Sequence, residues 1–407
     1  MMKKKILSAV LALSMVAALA GCGGASSAAP SSSSPAPSSE AASGAPASEA
    51  PAAPSEEAIK IGFIGPLTGG AAIYGTAAKN GAQIAVDEIN ALGGMQFAFN
   101  PQDDEHDAEK SVNAYNTLKD WGMQILLGTV TSTPCEAVVD KSYADSIFQL
   151  TPSGSSVDAI KNDNAFRVCF TDPTQGTLAA DYIAESGIAK KVAVIYNNQV
   201  TYSTGIYENF NAECKAKGID VVCAEAFTDD SATDFSVQIQ KVKESGAELL
   251  FLPMYYKEAA LIIKQANTAG LDIKFFGGDG LDGLIKQLGS DVALADGVLV
   301  LTPFFLNSTD EITAKFVADY RAAYNMDPNQ FAADAYDGIY AIKAALEKAE
   351  VKDASVDAAA LCDKLKTAFT QIEIKGLTGT MTWGADGEPT KSPIIITIKD
   401  GDYIAVE

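Results

Sequence analysis

From Ala58 onward the chain alternates short apolar runs with amphipathic segments, and this alternation restricts the possible folds more than any other feature. The runs IKIGFIG (59–65), ILLG (125–128), IFQL (147–150), VAVIY (192–196), LLFL (249–252) and IKFF (273–276) are too short for core helices. They read as buried parallel strands. Between them, AAKNGAQIAVDEINALGG (77–94) sets Ala78, Ala82, Ala85, Val86 and Ile89 on one helical face, with Gly93 closing the helix. Segments around 112–121, 178–185, 206–217 and 259–269 repeat that pattern. Successive βα units over this length predict open, doubly wound α/β sheets. At ~150 residues per domain, 407 residues predict two or three domains.

In such sheets ligands bind beyond the carboxyl ends of the strands. The segments that follow the strands are PLTGGAAIYG (66–75), TVTSTP (129–134), TPSGSS (151–156), NNQVTY (197–202), PMYY (253–256) and GGDG (277–280). They gather hydroxyls, glycines, tyrosines and one acid. The first three belong to the first half of the chain and the last three to the second. Two sheets facing each other across a cleft would bring both sets together as a clamp for a small molecule.

Charge and composition exclude several classes. Thirty Lys plus Arg against 52 Asp plus Glu give a formal charge of −22, with no basic footprint for nucleic acid. A single His argues against a His-based triad or a multi-His metal site. GxxxxGK[ST] does not occur, and no cofactor or metal is expected. The acids Asp103, Asp104, Glu105 and Asp107 read as a solvated loop, with Asp107 near a helix start. Cys135, Cys169, Cys214, Cys223 and Cys362 are odd in number and lack CxxC spacing, so they read as reduced apolar side chains. A Cys214–Cys223 bridge remains open for an exported chain.

The N-terminus carries export chemistry. MMKKK precedes an apolar run (6–20), and Leu19–Cys22 reads LAGC. This is a secretory signal over 1–21, and LAGC resembles the bacterial lipobox, with Cys22 as the lipid-bearing residue. Residues 23–57 are dominated by Ser, Ala and Pro, a composition that reads as a disordered leash from the lipidated Cys22 up to residue 57. Together these place the protein on the outer face of the cytoplasmic membrane, anchored by lipid, and point to a Gram-positive envelope.

Residues 58–407 resemble the type I periplasmic binding proteins of the branched-chain amino acid class. The fragments that carry the likeness include IKIGFIGPLTGGAAIYG, GAQIAVDEINALGG, LGTVTSTPCEA, QLTPSGSS, ADYIAESGIAKKVAVIY, FFGGDG and GLTGTMTW, in that order. The resemblance implies two Rossmann-like lobes joined by three strands near Thr171, Thr302 and Gly379. Lobe I would be 58–175 with 304–378, and lobe II 176–303 with 379–407. It also implies a monomeric, non-enzymatic receptor that hands its ligand to an ABC permease. By position it assigns ligand carboxylate contacts to Ser132 and Ser155, with backbone groups at Ser153, and ammonium pairing to Asp279. Tyr74, Tyr202, Tyr255 and Phe331 would line the side-chain pocket.

Three departures stand out. Asp279 replaces the Glu of the leucine binders, an apparent one-residue insertion precedes Tyr202, and His106 and Thr131 occupy the positions of a disulfide. On the residues alone, Ser132 and Ser155 also suit helix caps and Asp279 a turn. Tyr74, Tyr255 and Phe331 also suit plain packing. A ligand sensor of the same fold, or a binder of an amide, urea or aromatic acid, are the alternatives.

Overall fold

The computed structural model describes residues 58–406. The expected signal peptide (1–21), the lipidation site Cys22 and the linker up to residue 57 lie outside the described residues. A five-stranded parallel sheet is formed by β1 (Ile59–Gly65), β2 (Phe97–Asp103), β3 (Ile125–Gly128), β4 (Phe148–Thr151) and β5 (Ala165–Arg167). Its order is β2-β1-β3-β4-β5. A second sheet contains the parallel strands β6 (Lys191–Asn197), β7 (Asp220–Phe227), β8 (Leu249–Leu252), β9 (Lys274–Gly277) and β10 (Leu299–Thr302). A small hairpin, β11 (Glu373–Gly376) with β12 (Gly379–Thr382), stands apart. The second sheet is completed by β13 (Ile394–Lys399), antiparallel to β10, and β14 (Asp402–Ala405), in the order β14-β13-β10-β9-β8-β6-β7. The fold is thus two doubly wound α/β halves, as the alternating pattern predicts.

Each of the six apolar runs falls on a strand, with Ile147 and Ile273 just ahead of β4 and β9. Those in sheet centres, such as Ile125–Gly128 and Leu249–Leu252, are buried along their whole length. That is why they show no period of two. The edge strands were harder to see. Along β7, exposed and half-buried positions alternate, and β2 contains Asn100, Pro101 and Gln102.

In the first half, α1 (Ala72–Ala91), α2 (Ala108–Trp121) and α3 (Ser132–Ala144) alternate with the strands. In the second half, α4 (Asp172–Ser186), α5 (Thr201–Lys217), α6 (Ser236–Ser245), α7 (Tyr256–Thr268) and the short α8 (Leu284–Leu288) do so. The chain then returns, and α9 (Glu311–Tyr324), α10 (Gln330–Lys348) and α11 (Ala358–Phe369) pack on the first half. The contact between α1 and α10 is close enough that a Cβ at Gly81 would lie 2.0 Å from the Ala332 carbonyl oxygen. No described helix is long and apolar enough to cross a membrane.

Three segments connect the halves. The first runs from β5 into α4, through Thr171, and the second from β10 into α9, after Thr302. The third differs from the expectation at Gly379. Residues 379–382 form β12 and pair with β11, while Met381 and Trp383 are buried in the core of the first half. The passage to β13 therefore falls after Thr382. The reason is apolar: the Met and Trp of GTMTW bury in the first core and hold this stretch there.

The first and third connections are tied to each other. Trp383 Nε1 donates to the Arg167 carbonyl at 2.7 Å, and the Arg167 N–H donates to the Gly387 carbonyl at 3.1 Å. Lys391 Nζ donates to the Val168 carbonyl at 3.0 Å and meets Asp334 Oδ1 at 2.5 Å. Both side chains of that ion pair are almost fully buried, at 1% and 3% exposure. Removing one partner would leave a charge without compensation in a low-dielectric site. We predict that Lys391→Met destabilises the protein by about 3–5 kcal/mol in chemical denaturation, and that adding Asp334→Leu recovers most of the loss.

Candidate functional site

The strand orders place a switch point in each sheet, between β1 and β3 in the first and between β6 and β8 in the second. The segments leaving those four strands carry Tyr74, Ser132, Tyr202 and Tyr255. They face one another. Tyr74, Ser132, Ser153, Ser155, Tyr202, Tyr255, Asp279 and Phe331 all line one interlobe cavity, together with Val130, Thr131 and Gly280. The structure thus brings together every side chain singled out for a cleft. The insertion before Tyr202 does not displace it.

On the first-half side, Ser132 opens α3, a helix start that suits an anion. Its Oγ accepts the N–H groups of Ser155 and Ser156, each at 3.2 Å. With both lone pairs used, the hydroxyl has only its proton to offer, which makes it a committed donor. The Ser153 N–H, the backbone group expected to meet a ligand, is not among those spent on Ser132. The loop is fixed from behind by Arg167, which is fully buried. Its Nη1 donates to the Gly154 carbonyl at 3.0 Å, and its Nε lies 3.1 Å from Glu388 Oε2. Thr151 Oγ1 receives the Gly154 N–H at 2.7 Å.

On the second-half side, Asp279 begins a single turn of 3-10 helix. The Tyr202 hydroxyl donates to Asp279 Oδ1 at 2.7 Å and accepts the Gly280 N–H at 2.8 Å. The Asp279 N–H donates to Gln175 Oε1 at 3.0 Å, and Gln330 Nε2 donates to the Asp279 carbonyl at 2.6 Å. Burial pushes the Asp279 carboxyl up to about 7, and the Tyr202 hydrogen bond offsets part of that rise.

Aromatic rings supply the walls. Tyr74 lies 4.3 Å from Phe331 between ring centroids and meets Tyr255 edge-on at 5.2 Å. Tyr202 stacks on Tyr255 at 5.0 Å. Tyr74 also bridges the halves, because its hydroxyl donates to the Gly280 carbonyl at 2.5 Å and accepts the Tyr256 N–H at 3.1 Å. These contacts hold the cleft shut around a cavity of about 10 Å³, close to the space of one water molecule.

Beside the cavity, His106 Nδ1 and Thr131 Oγ1 lie 2.9 Å apart. The positions that the resemblance assigns to a disulfide are therefore joined by a hydrogen bond, and burial pushes the imidazole pKa down. The five described cysteines are all free, Cys214 and Cys223 included. Sequence reasoning missed Arg167, Gln175 and Gln330. A lone arginine inside the apolar stretch AFRVCF was the available signal, since a charge there needs a specific partner.

Comparison with known proteins places this geometry. The sequence profile of the periplasmic binding protein family matches residues 58–402. The Leu/Ile/Val-binding protein BraC3 of Rhizobium johnstonii is 32% identical, with 82% of this chain and 89% of that protein aligned. The leucine-, isoleucine-, valine-, threonine- and alanine-binding protein of Pseudomonas aeruginosa is 29% identical over 75% of this chain and 82% of its own length. Among solved structures, the branched-chain amino acid transporter substrate-binding protein LivJ of Streptococcus pneumoniae, in complex with isoleucine, superposes with a TM-score of 0.78. It is 28% identical, with 86% of this chain and 99% of that one covered. The two facing switch points, the hydroxyl-lined helix start and the carboxylate opposite it sit in a chain matched almost from Ala58 to its end, and this chain belongs to the periplasmic binding protein family.

Proposed function

We propose that the protein is the extracytoplasmic binding component of an ABC importer and closes its two halves on a small amino acid. The observation that carries this reading is the polarity of the cavity. Ser132 is a committed hydroxyl donor at a helix start on one side, and Asp279 is a buried carboxylate on the other. That spacing of opposite demands suits a zwitterion, with the α-carboxylate at Ser132, Ser153 and Ser155 and the ammonium at Asp279. Tyr74, Tyr202, Tyr255 and Phe331 favour an apolar or aromatic side chain, in keeping with the ligands named for the relatives. No bond is made or broken. Ligand that touches both halves favours the closed form, and that form is what a permease would recognise. Lipid on Cys22 and the leash up to residue 57 would hold the monomer at the outer face of the membrane.

The test is thermal unfolding of the purified protein against the amino acids, after unfolding and refolding to strip carried-over ligand. A ligand at 100 times its Kd stabilises by about 2.7 kcal/mol, which a melting curve resolves. Apolar amino acids are expected to raise Tm, and Asp279→Asn to abolish most of that rise. If no amino acid moves Tm, the reading fails.

The pH dependence has a defined sign. A carboxyl held near 7 must lose its proton before it can pair with an ammonium. Affinity is therefore full above pH 7 and declines below it, by up to tenfold per unit. Between pH 8 and pH 5, calorimetry is expected to read a loss of about a hundredfold in the wild type. The slope should flatten in Asp279→Asn.

A further inference from the structure

Buried polar atoms rarely go without partners, and here several that do lie around the cleft. Both carboxylate oxygens of Asp172, Nε2 of Gln175 and Oε1 of Glu136 are buried and unpartnered. Asp172 opens α4 and is 1% exposed. Its N–H donates to the Ser155 carbonyl at 3.0 Å, which sets it beside the serine loop. A Cβ at Gly205 would lie 3.1 Å from Asp172 Oδ2, so the carboxylate leans over the start of α5 where only a glycine leaves room. Its carboxylate and that of Asp279 both push the Tyr255 hydroxyl pKa up, and Asp172 is not itself among the residues that line the cavity.

An acid in the first turn of a helix is often only a partner for the helix dipole. That does not account for Asp172. The cap of α4 is already supplied by Thr171, whose Oγ1 accepts the Thr174 N–H at 3.1 Å. First-turn acids such as Glu109 and Glu311 are exposed, whereas this one is shut away from water. Among the described residues no lysine or arginine forms an ion pair with it, and only the Arg167 charge favours its ionised form. Arg167 is engaged by Gly154 and Glu388, and Glu136 and Asp279 add negative charge. The Ser155 hydroxyl eases the burial without closing a hydrogen bond.

We propose that Asp172 receives a second cationic group on the ligand, so that the cleft takes compact diamino acids as well as apolar ones. This rests on the amino-acid reading above. With an apolar ligand, burial keeps a proton on Asp172, whose carboxyl is pushed well above its ordinary range. With a diamino acid the carboxyl releases that proton to solvent and pairs with the side-chain ammonium. Gln175 Nε2, unpartnered beside Asp279, adds a neutral donor at the same end.

The experiment compares 2,4-diaminobutyrate and ornithine with leucine on the refolded protein, by calorimetry in buffers of different ionisation enthalpy. Diamino acids are expected to bind and to release one more proton than leucine does. Asp172→Asn is expected to lower the diamino-to-leucine affinity ratio by roughly thirtyfold or more, the scale for losing one partner of a buried charge pair. Its melting curve without ligand checks that it folds. Gly205→Ala, which crowds the carboxylate from α5, is expected to move the ratio the same way. If leucine binds but the diamino acids do not, or if the ratio is unmoved in both variants, the assignment of Asp172 is overturned and the amino-acid reading stands. If no amino acid of either kind binds, the reading itself falls and this inference with it.

Discussion

A lysine ammonium and an aspartate carboxylate, both closed off from water, hold the junction between the two halves together. Lys391 comes from the third connection, Asp334 from α10 on the first half, and the same ammonium reaches the Val168 carbonyl on the first connection. Such a pair contributes little net stability against an apolar replacement, because desolvation cancels most of the attraction. Its value is in register. A charge that can be satisfied at one place only fixes how the connections lie beside each other. Arg167 repeats the device a few residues away, with its guanidinium shared between Glu388 and the Gly154 carbonyl. The serine loop of the cleft is thus braced by a side chain that also holds the junction.

That bracing explains why the two sides of the cleft differ in kind. The first-half side joins main chain and hydroxyls held at fixed geometry, with Ser132 Oγ saturated by two N–H groups, to the rings of Tyr74 and Phe331. The second-half side is built from aromatic side chains and one carboxylate, linked through Tyr202. In the proposed reading the constant carboxylate and ammonium of an amino acid would meet the serine loop and Asp279, and its variable side chain would meet the rings. Tyr74 belongs to the first half but bonds to Gly280 and Tyr256 of the second, so it reports on closure directly.

The sequence made the strand centres and the cleft loops legible, because a strand buried on both faces must be apolar throughout and a ligand loop must follow its carboxyl end. Ser132, Tyr202 and Asp279 could be placed by that rule before any contact was known. The edges could not. In β7, Val221 and Cys223 are followed by Ala224, Glu225 and Ala226, a mixture that suits one wet face as readily as a loop. The third connection was misplaced for a related reason: GTMTW has no local signal that separates a hairpin over the first core from a strand of the second. Arg167 and Gln175 were overlooked because their work is tertiary. Their partners lie at Glu388 and Asp279, far along the chain, and no spacing announces them.

The closed cleft also sets out how a ligand would drive the movement. Hydrogen bonds from Tyr74 and Gln330 already join the halves, so closure does not depend on the ligand for contacts. In the proposed mechanism what opposes closure is the removal of Asp279 and Asp172 from water, since burial pushes the pKa of each up. A carboxylate in a closed cleft must bind a proton or find a cation. At neutral pH the first choice costs free energy and the second is supplied by an ammonium. The ligand then shifts the equilibrium by cancelling a penalty specific to the closed form, which is the differential affinity that any ligand-driven closure requires. An aspartate in place of the leucine binders' glutamate keeps that logic while drawing the charge one methylene back into the second half. In the proposed reading the ammonium would follow it inward, toward Tyr202 and away from the serine loop.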